Sequence, residues 1–144
     1  MIAGGVVVDA SVAMKLFFEE DLSSAADQLF ARAAGPDRPR LFAPELFYAQ
    51  CANVFWKRVR RGDAAAGDVR TRLMDLLALP IESISTASLA SRALDIALEF
   101  NVSAYDGCYV AAASGLEIPL VTADERLVGL FRKTSNDVRL LGSD

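Results

Sequence analysis

Short apolar runs alternate with longer stretches of helical period along this chain, and the alternation defines its elements. Val6-Val7-Val8 closes on Asp9 and reads as a brief buried strand over 6–9. A helix over 11–18 follows, with Ser11 as its cap. Leu22, Ala25, Ala26, Leu29, Phe30 and Ala33 form one stripe of a second helix over 22–34. Gly35-Pro36-Asp37-Arg38-Pro39 is a loop, and 40–43 a second strand. Pro44 suits the first turn of a long helix to about residue 61, which Gly62 stops. Another helix covers 63–79, a strand 80–85, and a helix 86–101 that ends at Asn101. Helices over 106–115 and 124–131 and strands over 118–122 and 138–141 complete the chain. Strands that alternate with helices predict a parallel or mostly parallel sheet covered by helices, joined by right-handed crossovers. No internal repeat or linker interrupts the pattern, and 144 residues predict one domain, 1–144.

Composition narrows the function. The hydrophobic fraction is 53%, high enough to suggest apolar surface kept for a partner. No apolar stretch reaches the ~18 residues that span a bilayer. The N-terminus lacks the basic region and cleavage site of a signal peptide, so the expectation is a cytoplasmic protein. Net charge is −4, with the acidic excess in residues 73–144, where 10 acidic face 5 basic side chains. That balance argues against coating nucleic acid by bulk charge, but not against an enzyme whose metal neutralises an acidic pocket. Cys51 and Cys108 fall inside apolar helices and read as buried free thiols.

The chain has no histidine. This removes Ser-His-Asp and Cys-His nucleophiles and histidine-bearing zinc sites. No Walker loop or dinucleotide fingerprint is present. What remains is carboxylate chemistry. Asp9 ends the first strand, Asp124 follows the strand at 118–122, and Asp106 opens a helix. Each has an ordinary reading as a helix cap. Together, on one expected edge of one sheet, they read as a metal site. Three clustered carboxylates repel unless a cation joins them or one is protonated. An all-oxygen set suits Mg²⁺ or Mn²⁺, which can activate a water for attack at phosphorus.

Four segments carry a resemblance: Val-Val-Val-Asp9-Ala-Ser-Val-Ala, Ala-Pro-Glu-Leu-Phe-Tyr-Ala-Gln50-Cys-Ala-Asn53-Val, Ser-Ala-Tyr-Asp106-Gly-Cys-Tyr109-Val, and Leu-Val-Thr122-Ala-Asp124-Glu-Arg-Leu. In this order they resemble the PIN-domain family, and within it the VapC-type toxins of prokaryotic toxin–antitoxin pairs. The resemblance spans essentially the whole chain. It implies a three-layer α/β/α sandwich with a mostly parallel central sheet. It also implies a Mg²⁺- or Mn²⁺-dependent ribonuclease, a homodimer, and a small antitoxin as partner. By motif, Asp9, Asp106 and Asp124 take the metal positions, and Thr122 the hydroxyl beside the last acid. Asn53 matches a polar residue one helical turn beyond the second acid.

Position 50 departs from the family pattern. Gln50 stands where the family has glutamate, keeping an acceptor oxygen but losing the charge. Glu45 lies five residues away, a turn of roughly 140° on a helix, so it leaves the face of Gln50. The leading expectation is a toxin-type endoribonuclease weakened at position 50, and the alternative is a PIN-like module that binds RNA or protein without cutting. A receiver-like phospho-acceptor domain fits worse, because Asp9 has no acidic neighbour and Lys133 lies at a helix end. Lys57-Arg58-Val59-Arg60-Arg61, with Arg70 and Arg72, could contact phosphates or simply form a solvated helix end. Phe17, Phe18, Phe47, Phe55 and Trp56 are expected in the core or a partner groove. The helices at 11–18 and 44–61 are the expected contact surfaces for a dimer or antitoxin.

Overall fold

The sheet is wound outward from its middle. The computed structural model describes residues 4–36 and 39–143, so Asp37 and Arg38 of the expected loop lie outside the described residues. Five parallel strands, β1 (Gly5–Val8), β2 (Arg40–Pro44), β3 (Ile81–Ile84), β4 (Leu120–Thr122) and β5 (Val138–Leu140), stand in the order β3-β2-β1-β4-β5. The helices are α1 (Ala10–Phe17), α2 (Ser23–Ala33), α3 (Leu46–Arg60), α4 (Ala66–Leu77), α5 (Thr86–Phe100), α6 (Ala104–Leu116) and α7 (Glu125–Phe131). Right-handed crossovers put α1 to α4 on one face, and α5, α6 and α7 on the other. The result is the expected three-layer α/β/α sandwich, with a sheet that is parallel throughout.

β1 is buried at every position, as a central parallel strand must be. Its β-branched run packs against helices on both faces. α3 buries Phe47, Cys51 and Phe55 at four-residue spacing. Phe17 and Phe18 pack on Phe55 with ring centroids 5.8 and 5.9 Å apart, so Phe18 and Phe55 are core and Phe17 covers its edge. α6 is buried from Gly107 to Ala113 because it lies between α5 and the sheet. Gly107 is required there: a Cβ on it would come within 2.4 Å of the Ala93 carbonyl oxygen. The close approach seats the first turn of α6, and with it Asp106, directly on α5.

Several boundaries differ from expectation for clear reasons. Pro44 ends β2, paired with Ile84, rather than opening a helix. Proline can close a strand because only its missing N–H is lost to the ladder. The cap of α1 is Asp9, not Ser11. α6 starts at Ala104 because Ser103 caps it, two residues earlier than the sequence suggests, and it runs past Gly115 to a left-handed turn at Glu117, φ 55°. α4 is shorter than the expected 63–79. Asn101 does end α5, in the left-handed region at φ 56°. Both cysteines are buried and free.

Candidate active site at the switch point of the sheet

Chain direction across the sheet reverses between β1 and β4, and open α/β sheets form a crevice at such a point. Asp9 leaves β1 there, and Thr122 and Asp124 leave β4. Backbone pairing continues past the strand end, since the Asp9 N–H donates to the Val121 carbonyl at 3.2 Å. Side chains then join the two strand ends. The Thr122 hydroxyl donates to Asp9 Oδ2 at 2.6 Å. Its oxygen accepts the Asp124 N–H at 3.1 Å. Asp9 Oδ1 accepts the Ser11 N–H, and Ser11 Oγ accepts the Ala123 N–H at 3.0 Å. Thr122 and Ser11 therefore fix the Asp9 carboxylate, which is 8% exposed.

The capping reading holds for Asp9 and Asp124 but not for Asp106, because Ser103 caps α6. Asp9 caps α1. Asp124 caps α7, its Oδ1 accepting the N–H groups of Arg126 and Leu127 at 3.0 and 3.3 Å. Asp124 Oδ2 is left beside Arg126, whose Nη2 lies 3.5 Å away. The same nitrogen lies 3.8 Å from Asp106 Oδ2. Asp106 is the third residue of α6, and its N–H is capped by Ser103 Oγ at 3.0 Å.

The acids share one electrostatic environment. Burial pushes the Asp9 carboxyl above its usual range; hydrogen bonds from Ser11 and Thr122 oppose this, and the Asp124 charge adds to it. Burial also raises Asp106, as do Asp9 and Asp124, against the pull of Arg126. Each shift is first a cost of burying a carboxylate, to which neighbouring negative charge adds.

Gln50 borders the same site. The Tyr109 hydroxyl donates to Gln50 Oε1 at 2.6 Å. Tyr109 is buried, and its phenol is raised first by burial and then by the charge of Asp9, with Cys51 and Asp106 also contributing. The carbonyl oxygen of Gln50 is thus engaged by a neutral donor. Cys51 is pushed up to about 12 by burial and by Asp9. It is a thiol at neutral pH and offers no soft thiolate ligand. Glu45 and Asn53 are exposed, and no hydrogen bond or ion pair among the described residues ties either side chain to the site.

Among the described residues no three His, Cys, Asp or Glu side chains are drawn together as a ready-made metal cage. The donor set nevertheless fits a hard divalent cation. It is all oxygen, it includes a buried carboxylate held in place by hydroxyl and amide donors, and Asp9 and Asp106 each feel the charge of a neighbouring carboxylate.

The sequence singled out the three aspartates, Gln50 and Thr122, and the structure sets Thr122 on Asp9 and Gln50 on Tyr109. Sequence reading missed Tyr109 and Arg126 as site residues and took Ser11 for a cap. Tyr109 follows Asp106 by three residues on one helix, a spacing that faces both the same way. Arg126 had only its two-residue distance from Asp124.

Much of the basic run serves the fold itself. Arg58 binds Glu20 at 3.1 Å and lies over Phe18 at 4.2 Å. Arg72 lies over the same ring at 4.8 Å. Arg61 meets Asp63 at 3.3 Å. An apolar groove of about 260 Å³ runs between α3 and α4, lined by Phe55, Trp56, Val59, Val69 and Leu73 among others.

Comparison with known proteins gives the chain a family. The PIN domain profile matches residues 6–135. Ribonuclease VapC3 of Pyrobaculum aerophilum is 31% identical over 130 residues, covering 88% of this chain and 94% of that protein. Ribonuclease VapC9 of Mycobacterium tuberculosis is 34% identical over 122 residues, covering 85% and 87%. The structure of a toxin–antitoxin complex from Klebsiella pneumoniae superposes with a TM-score of 0.62 at 19% identity, over 94% of this chain and 96% of that chain. The chain belongs to the PIN-domain family.

Proposed function

We propose that this PIN-domain chain is a metal-dependent endoribonuclease and the toxin of a type II toxin–antitoxin pair. The observation that supports the reading is the placement of Asp9 and Asp124 at the ends of β1 and β4, with one Arg126 nitrogen facing both Asp124 and Asp106, at 3.5 and 3.8 Å. The relatives named as ribonucleases, similar over most of both lengths, support the substrate class.

In this reading Asp9, Asp106 and Asp124 hold Mg²⁺ or Mn²⁺. A cation so held supplies Lewis acidity to a phosphate ester. Thr122 and Ser11 keep Asp9 oriented in both the loaded and the metal-free protein. Gln50, with its oxygen on Tyr109, contributes no negative charge. With no imidazole in the chain, carboxylates are the proton acceptors at hand for an attacking water. The partner is a small antitoxin protein, and the α3–α4 groove with exposed Trp56 is the apolar surface we assign to it. The functional form is a homodimer of one-domain chains in the cytoplasm. Among the described residues no helix is long and apolar enough to cross a membrane.

One observation favours a second reading, a module that binds RNA or a protein partner without cutting. The Gln50 oxygen already accepts the Tyr109 hydroxyl, so position 50 lacks a charge and keeps only one further lone pair to offer. A single experiment separates the two. Structured RNA is incubated with the purified chain and Mg²⁺ or Mn²⁺, with EDTA and Asp9→Asn as controls. Cleavage that needs the metal and Asp9 is expected. RNA bound but left intact by the wild type under every metal condition would select the binding module.

A further inference from the structure

Among the described residues Arg126 is the one cation in contact with two of the three site acids. Its Nη2 lies 3.5 Å from Asp124 Oδ2 and 3.8 Å from Asp106 Oδ2. Both distances are too long for strong hydrogen bonds, and the side chain is 61% exposed, so the contact is electrostatic and easily broken. The backbone of Arg126 is held separately, by its N–H on Asp124 Oδ1. The guanidinium can therefore leave without disturbing the start of α7. Arg126 is thus poised to act as a movable counter-charge between α6 and α7.

We propose that Arg126 is an internal counter-ion of the acidic site that occupies Asp106 and Asp124 in the metal-free protein and must give way when a divalent cation binds. The inference rests on the proposed metal site. Its function is to keep the acids compatible in the absence of metal and to set the threshold of metal concentration at which the site fills. A positive charge resident beside two ligands competes with any cation they accept. Removing it leaves the carboxylates less well neutralised and more receptive to metal. Lysine at the same position keeps the charge and should keep the competition.

The test is titration calorimetry of Mn²⁺ into metal-free wild type, Arg126→Gln, Arg126→Lys and Asp106→Asn at fixed ionic strength. Arg126→Gln is expected to bind Mn²⁺ about three- to tenfold more tightly than wild type, the scale of two partly exposed charge contacts. Arg126→Lys should stay close to wild type, and the gain in Arg126→Gln should shrink as salt is raised. Asp106→Asn should bind weakly. Equal affinity in wild type and Arg126→Gln, with Asp106→Asn still weak, would overturn the counter-ion role and leave the metal site standing. Weaker binding by Arg126→Gln would also overturn it, by making Arg126 a residue that orients the ligands. Equal binding by Asp106→Asn and wild type, or no binding by any form at millimolar Mn²⁺, would overturn the metal site and this inference with it.

Discussion

Gln50→Glu restores the charge that the family pattern has at this position, and the structure gives its consequences in two directions. Glutamate is nearly isosteric, so it can keep the 2.6 Å hydrogen bond from Tyr109, now to a charged acceptor. The new carboxylate joins a site where Tyr109 already feels both Asp9 and Asp106. Two like charges about 6 Å apart at an effective dielectric of about 20 repel by about 3 kcal/mol. Gln50 is only half-buried, and solvent screening brings this nearer to about 1 kcal/mol for each neighbour. The metal-free variant should therefore lose about 1–2 kcal/mol, or about 3–8 °C of melting temperature for a chain of this size. Millimolar Mn²⁺ should recover that loss, because the cation takes up the added charge. Activity should move the other way: a positioned acid–base group contributes about 10²–10⁴-fold, so Gln50→Glu should cleave structured RNA faster by a factor in that range. The assays are thermal melts with and without Mn²⁺ and single-turnover cleavage of one labelled RNA by both forms. A wild type that cuts well with Gln50→Glu no faster would refute the reasoning and hand the role to another acid.

Asp9→Asn should raise the melting temperature of the metal-free protein at neutral pH while abolishing cleavage. The Asp9 carboxyl is raised in the folded state, so its protonated form stabilises the fold and that contribution is lost as pH rises through the folded value. The advantage of Asn should accordingly be largest at neutral pH and fade below about pH 4, the ordinary aspartate range; an advantage independent of pH would contradict this. Gly107→Ala should cost about 1–3 kcal/mol or more, because its Cβ meets the Ala93 carbonyl at 2.4 Å, and should weaken Mn²⁺ binding by shifting Asp106; a melt and a calorimetric titration unchanged from wild type would refute the close-packing argument. Light scattering at tens of micromolar should show a homodimer, and a monomer at that concentration would count against the expected assembly.

The sequence was most legible where one physical demand dominated. β1 needs burial on both faces, and an unbroken β-branched run ending in aspartate announces it. The acids at strand ends followed from the same logic, since a buried carboxylate at the edge of a sheet must have partners. Thr122 was found through its motif. The rest depended on pairings that no local pattern encodes. Pro44 looked like a helix opener because its φ suits either role, and only the ladder to Ile84 decides for the strand. Ser11 and Asp9 are both good caps, and the register between β1 and β4 assigns Asp9 to α1 while Ser11 Oγ serves Ala123. Tyr109 and Gln50 are 59 residues apart, and Arg126 reaches Asp106 across two helices and a strand. Such contacts are set by topology, which the sequence indicates only as a class.

The central claim is that Asp9, Asp106 and Asp124 converge on one divalent cation. Crystals soaked in Mn²⁺ and measured near the manganese absorption edge test it most directly. The account predicts an anomalous peak at the carboxyl ends of β1 and β4, within direct ligation distance of oxygens from all three aspartates, with the Arg126 guanidinium moved off Asp106. A well-diffracting soaked crystal with no peak there, or with the manganese held by other residues, would contradict it.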